Sequence, residues 1–198
     1  MFPTLVWKFQ LKPELRQTMD AGILEKLAAL RRELPPLSSG EGWQSEQNLH
    51  EFDAFKEFVS CAHEAASGVV RFLRIGYDAL SITGCWANVL ASGAAHRAHS
   101  HPNNFLSGAY YLRTQAGADT INFHDPRVQT TILRPPVMAL TSENTDQVVV
   151  RVANGTMLLF PAWLQHSVDA NRCSEERISI SFNVMFLGFT EHLSRPLW

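Results

Sequence analysis

The chain has 198 residues, with 17 Lys and Arg against 19 Asp and Glu and a formal net charge of −2. That length suits one domain with a substantial buried core, and the lack of a basic excess argues against nucleic acid as a partner. No apolar run reaches bilayer-spanning length, MFPTLVWKFQ at the start lacks the layout of a secretory signal, and the three scattered cysteines, Cys61, Cys85 and Cys173, form no disulfide framework, which together predict a reducing, cytoplasmic setting with the thiols as small buried hydrophobes.

In chain order, residues 2–9 are apolar and predict a first strand. Pro13 opens a helical pattern in which Met19, Ile23, Leu24, Leu27 and Leu30 recur at helical spacing until the breaker Pro35-Pro36. Residues 38–46 read as a loop. A second helix is predicted over 50–74, with Phe55, Phe58, Ala62 and Val69 or Val70 on one side. Both read as packing helices rather than partner-binding stripes. From residue 80 the period changes. Residues 80–89, 105–112, 120–124, 147–152, 156–160 and 177–186 read as strands, separated by turn residues at Ser92-Gly93, Ala116-Gly117, Asp125-Pro126, Asn154-Gly155 and Ala170-Asn171. Short strands at fairly regular spacing predict a mainly β sandwich or barrel over 80–198, with the strand and helices of 1–79 bracing one sheet from outside in the same domain.

The last strand, RISISFNVMF, places Arg177, Ser179, Ser181 and Asn183 on one face and Ile178, Ile180, Phe182, Val184 and Phe186 on the other. The polar face either meets water or lines a pocket inside the barrel. In a pocket, an arginine beside two hydroxyls would receive a carboxylate, because its planar fork pairs both oxygens.

Eight histidines are present. His50, His63 and His192 lie in helical or terminal contexts, and His96 and His124 are ambiguous. His99, His101 and His166 are the metal-ligand candidates. Residues i and i+2 of an extended segment face the same way, so His99 and His101 of HSHPNNFLSGAYYL can converge on one ion. His166, in GTMLLFPAWLQHSV just past a strand, would close one face of the coordination sphere. Three protein ligands on one face leave positions open, as a catalytic metal requires.

The spacing Gly93, five residues, His99, one residue, His101, then Gly108 resembles the first cupin motif, and Gly155, five residues, Pro161, four residues, His166, then Asn171 resembles the second. The glutamate of the first motif is missing near Phe105 and Leu106, the asparagine is displaced by one residue, and Trp163 replaces the inner glycine of the second. The likeness is therefore to the double-stranded β-helix, or jelly roll, more than to the cupins proper. A closer resemblance runs through WAN, HSHPNNFLSGAYYL, FHDPR, GTMLLFPAWLQHSV and ERISISFN. These five ordered blocks are similar to the 2-oxoglutarate/Fe(II) oxygenase family with the pattern HxHPxxxLSGxYYL, FxDPR, GxLLxFPSxLxHxV and RISxSFN. Ala162 stands where that family usually has serine.

The resemblance implies a dioxygenase that uses Fe(II) and 2-oxoglutarate to hydroxylate a small molecule or a protein side chain, with release of succinate and CO2. The wider superfamily, prolyl hydroxylases included, presents an HxD pair and a distant histidine, which makes His99 and His166 the two histidine ligands and puts His101 where the aspartate would be. Either His101 is the third ligand, or Asp125 or water completes the site with His101 beside it. Arg177, eleven residues after His166, matches the basic residue that pairs with the far carboxylate of 2-oxoglutarate. Arg177-Ile178-Ser179 also resembles the RxS motif of isopenicillin-synthase-like enzymes. Tyr111 matches a prolyl-hydroxylase tyrosine that reaches the same carboxylate, or is a core aromatic. Ser179 or Ser181 would assist. Asn88 of WAN either faces the barrel interior to bind co-substrate or substrate, or makes a strand-end hydrogen bond. Arg127 of HDPR either meets substrate at the rim or holds its loop through a salt bridge. Two other functions stay open: a three-histidine iron dioxygenase without 2-oxoglutarate, and a non-catalytic metal- or ligand-binding barrel. Edge strands could pair two subunits into a homodimer.

Overall fold

A computed structural model describes residues 3–76, 79–127, 132, 135–141 and 143–188; His192 lies outside them. Among the described residues, ten strands and two α-helices follow in chain order. Strand β1 (Trp7–Gln10) precedes helix α1 (Pro13–Leu30), and β2 (Gly42–Gln44) lies within the stretch expected to be a loop. Two short 3-10 turns, Leu49–Glu51 and Asp53–Phe55, then lead into α2 (Lys56–Phe72), so the second helix starts later than its apolar pattern. Next come β3 (Leu80–Leu90), β4 (His96–His99), β5 (Leu106–Arg113), β6 (Thr120–His124) and β7 (Gln147–Arg151). The chain closes with β8 (Thr156–Pro161), β9 (His166–Val168) and β10 (Arg177–Phe186).

The strands form two sheets, one in the order β1-β8-β5-β10-β3-β2 and one in the order β4-β9-β6-β7. Every pairing between them is antiparallel. The N-terminal segment does more than brace: β1 pairs with β8 and β2 with β3, so it supplies both edges of the larger sheet.

Alternation along the strands divides the core in two. The outer face of the six-stranded sheet carries Leu106, Tyr110, Met157, Leu159, Ile178, Ile180, Phe182 and Val184, packed with Met19, Ile23 and Leu27 of α1 and Phe58, Ala62 and Val69 of α2. Phe58 is the hinge of that contact, 5.6 Å from the Tyr110 ring and 5.5 Å from Phe182. The inner face sends Ala109, Tyr111, Leu158 and Phe160 against Ile121 and Phe123 of the smaller sheet. The two rows of β10 therefore face different worlds, aliphatics toward the helices and Arg177, Ser179, Ser181 and Asn183 toward the space between the sheets. Of the cysteines, Cys85 is buried as expected, whereas Cys61 and Cys173 are only partly so. Cys61 sits on α2, packed at the margin of the outer core, and Cys173 donates from its Sγ to the Ala116 carbonyl in a surface turn.

Candidate metal centre and co-substrate pocket

The register of the smaller sheet sets the first two candidate ligands side by side. His99 ends β4 and His166 begins β9, and these two residues are direct cross-strand partners, with ring centroids 4.3 Å apart. The chain then leaves β4, and the His101 N–H donates to the Ala162 carbonyl at 2.8 Å, which holds HSH against the turn before His166. Asn103 follows with φ of 65°, the left-handed region that asparagine tolerates, and turns the chain into β5. His101 lies 5.1 Å from His99 and 5.2 Å from His166, ring to ring. One ligand atom from each of the three lies within 4.8 Å of the others, the separation expected around a single ion. The alanine at 162 leaves this arrangement intact, because the contact uses its backbone.

Hydrogen bonding orients two of the rings. His99 Nδ1 meets the Arg97 carbonyl at 2.8 Å and His166 Nδ1 meets the Leu164 carbonyl at 3.0 Å. With Nδ1–H donating, each Nε2 keeps its lone pair for a metal, the usual way that a neighbouring carbonyl fixes a ligating imidazole. His166 is only 5% exposed and is backed by Phe160 at 4.7 Å. Burial pulls the His101 and His166 rings down to a pKa of about 4, so both are neutral at pH 7 and able to ligate. Trp86 lies 5.5 Å from His101.

The triad opens into a cavity of about 440 Å³ between the sheets. Arg177, 3% exposed, reaches into it from β10, with its guanidinium 5.1 Å above the Tyr111 ring. Its Nε is buried without a hydrogen-bond partner, its Nη2 has only a long contact of 3.4 Å to the Thr120 carbonyl, and among the described residues no carboxylate lies within ion-pair distance. The Tyr111 hydroxyl is likewise buried and unpartnered, and burial pushes its pKa up, with Arg177 opposing. Asn88 donates to Ser181 Oγ at 2.9 Å and leaves its own Oδ1 buried without a partner. Ser179 and Ser181 line the same wall. A buried guanidinium without a counter-ion is costly unless an anion completes it. The orphaned donors of Arg177 and Tyr111 fit a dicarboxylate, the Asn88 Oδ1 is an acceptor for a donor group, and three converging imidazoles fit a divalent metal.

The sequence candidates His99, His101, His166, Arg177, Tyr111, Ser179, Ser181 and Asn88 thus line one cavity. Asp125, the other candidate for third ligand, does not. Its carboxylate grips Arg127 through two oxygens, at 2.6 Å to Nη2 and 2.9 Å to Nε, and stands outside the cavity. Arg127 is accordingly the salt-bridged loop residue rather than a residue of this wall. His124 bonds Ser167 at 2.9 Å, also away from the cavity. Gln44, Gln47, His96, Arg97 and Trp86 line the cavity without having been singled out as site residues. Trp86 stands two residues before Asn88 on the same strand face, a signal the alternation rule could have used. Gln44 lies in the stretch read as a loop and Gln47 just past it, and neither carries such a signal.

A two-sheet jelly roll whose inter-sheet cavity is lined by a three-histidine cluster and a buried arginine has the architecture of a metal-dependent enzyme. The family model described as "Putative 2OG-Fe(II) oxygenase" matches residues 84–183, half of the chain. The chain belongs to that family and is a 2-oxoglutarate- and Fe(II)-dependent oxygenase. No curated protein matches it. Solved structures share the fold at low identity. A prolyl-4-hydroxylase of Pseudomonas putida is 14% identical with a TM-score of 0.63, over 93% of this chain and 94% of that one. The non-heme alpha-ketoglutarate-dependent carbocyclase SnoK of nogalamycin biosynthesis is 16% identical with a TM-score of 0.67, over 98% and 89%. A prolyl hydroxylase of Trichoplax adhaerens, in complex with a hypoxia inducible factor peptide, is 13% identical with a TM-score of 0.62, over 96% and 87%.

Proposed function

We propose that His99, His101 and His166 hold Fe(II), the first and last through Nε2, and that Arg177 with Tyr111 receives the far carboxylate of 2-oxoglutarate. Ser179, Ser181 and Asn88 form the wall along which the co-substrate lies, and the outcome is hydroxylation. The observation that carries this reading is the buried Arg177, without an ion-pair partner among the described residues, in one cavity with three converging imidazoles. When bound, the iron and the 2-oxo acid supply the oxidising chemistry, which ends in succinate and CO2.

The protein's own work is orientation. Leu164 and Arg97 carbonyls keep two rings in the tautomer that can ligate. The guanidinium fork fixes the far carboxylate in a place where water has little access, so the ion pair is strong. Phe160 and Phe123 exclude solvent behind His166. His101 contributes no negative charge, so the metal keeps more of its own charge than it would beside a carboxylate.

The primary substrate is a small molecule or a peptide side chain; the carbocyclase and the peptide-bound hydroxylase that share the fold support both classes. Free cysteines support a cytoplasmic setting, and no helix among the described residues is long and apolar enough to cross a membrane. A buried Arg177 in one cavity with a three-histidine cluster favours the co-substrate reading over an iron dioxygenase without co-substrate or a binding barrel. The test is oxygen consumption with Fe(II) and 2-oxoglutarate, with succinate assayed in parallel. Succinate formation that Arg177→Ala abolishes at low co-substrate is expected. No oxygen uptake and no succinate across a substrate screen would overturn the proposal.

A further inference from the structure

The cavity holds more than the triad and the co-substrate wall. Its lining also includes Gln44 of β2, Trp86 of β3 and Asn183 of β10 from the larger sheet, Arg97 of β4 from the smaller one, and Gln47. Its fully charged side chains are Arg97 and Arg177, and no Asp or Glu is among its described lining residues. Asp119 and Asp169 act on Arg177 only from outside that lining. Arg97 stands on β4 between the two histidines of its strand, exposed. Unlike Arg16, Arg31, Arg127 and Arg151, it makes no ion pair with a described carboxylate. Asn183 spends its Oδ1 on the Ser107 hydroxyl at 2.7 Å, which leaves its amide N–H groups as what it can offer the cavity. The wall therefore combines positive charge with amides that can donate, and carries no negative charge among its described residues.

The charge balance points the same way. On the reading above, the dianionic co-substrate meets Arg177 at one end and the metal at the other. Imidazole ligands bring no negative charge to set against the metal's double charge, and the co-substrate offsets only part of the sum of metal, Arg177 and Arg97. The remaining excess is positive and faces a partly desolvated cavity, where charge is poorly screened. A cationic group entering there would be repelled, and an anionic one would be drawn in.

We infer that the primary substrate carries an anionic group, a carboxylate or a phosphate, and that Arg97 binds it at the cavity rim, with the amides of Asn183, Gln44 and Gln47 lining the same cavity. This rests on the proposed function, because it assigns Arg177 to the co-substrate. Arg97 is a specificity residue for substrate and not for 2-oxoglutarate.

The test uses matched probes on the Fe(II)- and 2-oxoglutarate-loaded protein without oxygen, with binding read by ligand-observed NMR. The probes are benzoate, benzamide and benzylamine, hexanoate, hexanamide and hexylamine, and phenyl phosphate. Co-substrate loading is verified first by the visible absorption of the complex, so its failure sinks the proposed function and is distinguished from failure here. The expected result is binding of carboxylate or phosphate members over their amides by about fivefold or more and no binding of the amines. Arg97→Gln should remove the preference and Arg97→Lys should keep it, with 2-oxoglutarate affinity changed far less than in Arg177→Ala. Preference for carboxylate over phenyl phosphate, or the reverse, identifies which anion the site takes. Equal or better binding of the amines, no binding of any member, or a loss of 2-oxoglutarate affinity in Arg97→Gln as large as in Arg177→Ala would overturn the inference.

Discussion

His166 concentrates the argument at the scale of single residues. It is buried, its tautomer is set by the Leu164 carbonyl, and it meets His99 across a strand pair. Partners that merely orient a ligand are worth about 10–100-fold in metal affinity, so His166→Ala should weaken Fe(II) binding by more than that, measured by competition with a chromophoric chelator. Retained tight iron in this variant would exclude the triad. The two groups facing the co-substrate should differ in weight. Removing a buried charge partner costs about 2–5 kcal/mol, on the order of 30-fold or more in the 2-oxoglutarate Kd for Arg177→Ala. Tyr111→Phe deletes one hydroxyl and should cost about 1 kcal/mol, several-fold at most. Equilibrium titration of both variants checks the order, and a larger effect at Tyr111 would reverse the roles. Most of these residues were legible in the sequence, because i, i+2 spacing aims His99 and His101 together and alternation along β10 gathers Arg177, Ser179 and Ser181. His96 was not, since one more imidazole near two others has no spacing rule; it lines the cavity, and burial holds its pKa at about 4.

At the scale of elements, long strands with clear alternation matched their expected spans, and β6 and β10 did so to the residue. The missed strands β2, β4 and β9 have only three or four residues each. A segment that short shows no period, and its strand character comes from its partners. Two of these short strands carry metal-ligand candidates, so the site was visible as residues before it was visible as structure. Gly108 shows a constraint that composition hides. A Cβ there would run into the Phe182 ring, its cross-strand partner on β10. Gly108→Ala should cost about 1–3 kcal/mol by overpacking, read as a lower denaturant midpoint at unchanged slope. An unchanged midpoint would mean that the ring moves freely.

Helix α1 is tied to the start of β10 by Arg31, whose two Nη atoms meet both Glu176 oxygens at 2.8 and 2.9 Å, one residue before Arg177. The Arg31 guanidinium holds the Glu176 carboxyl below its ordinary value of 4.5. A carboxylate whose pKa is depressed by folding stabilises the fold above its unfolded pKa and loses that contribution as pH falls through the folded value. Arg31→Ala should therefore cost up to about 1 kcal/mol near neutral pH, since the pair is partly solvated, and the difference from the parent should shrink as the pH falls below 4.5. Thermal unfolding at several pH values measures it. A difference that persists in strong acid would assign the contact to packing.

For the whole molecule, two sheets and two helices do separate jobs. The helices seal the outer face with aliphatic and aromatic side chains, which frees the inner face of β10 to be polar. That division of faces was readable from one strand, but which face met water was not, because alternation fixes relative and not absolute direction. Only the second sheet, closing over Tyr111 and Arg177, decides it. The central claim is that this enclosed polar face holds 2-oxoglutarate between Arg177 and iron on three histidines. Its most direct test is anaerobic titration of the Fe(II) protein with 2-oxoglutarate, followed by the visible metal-to-ligand charge-transfer band. A saturable band that is lost in Arg177→Ala at the same co-substrate concentration is the predicted result. Iron that stays tightly bound with no band at any 2-oxoglutarate concentration would contradict it.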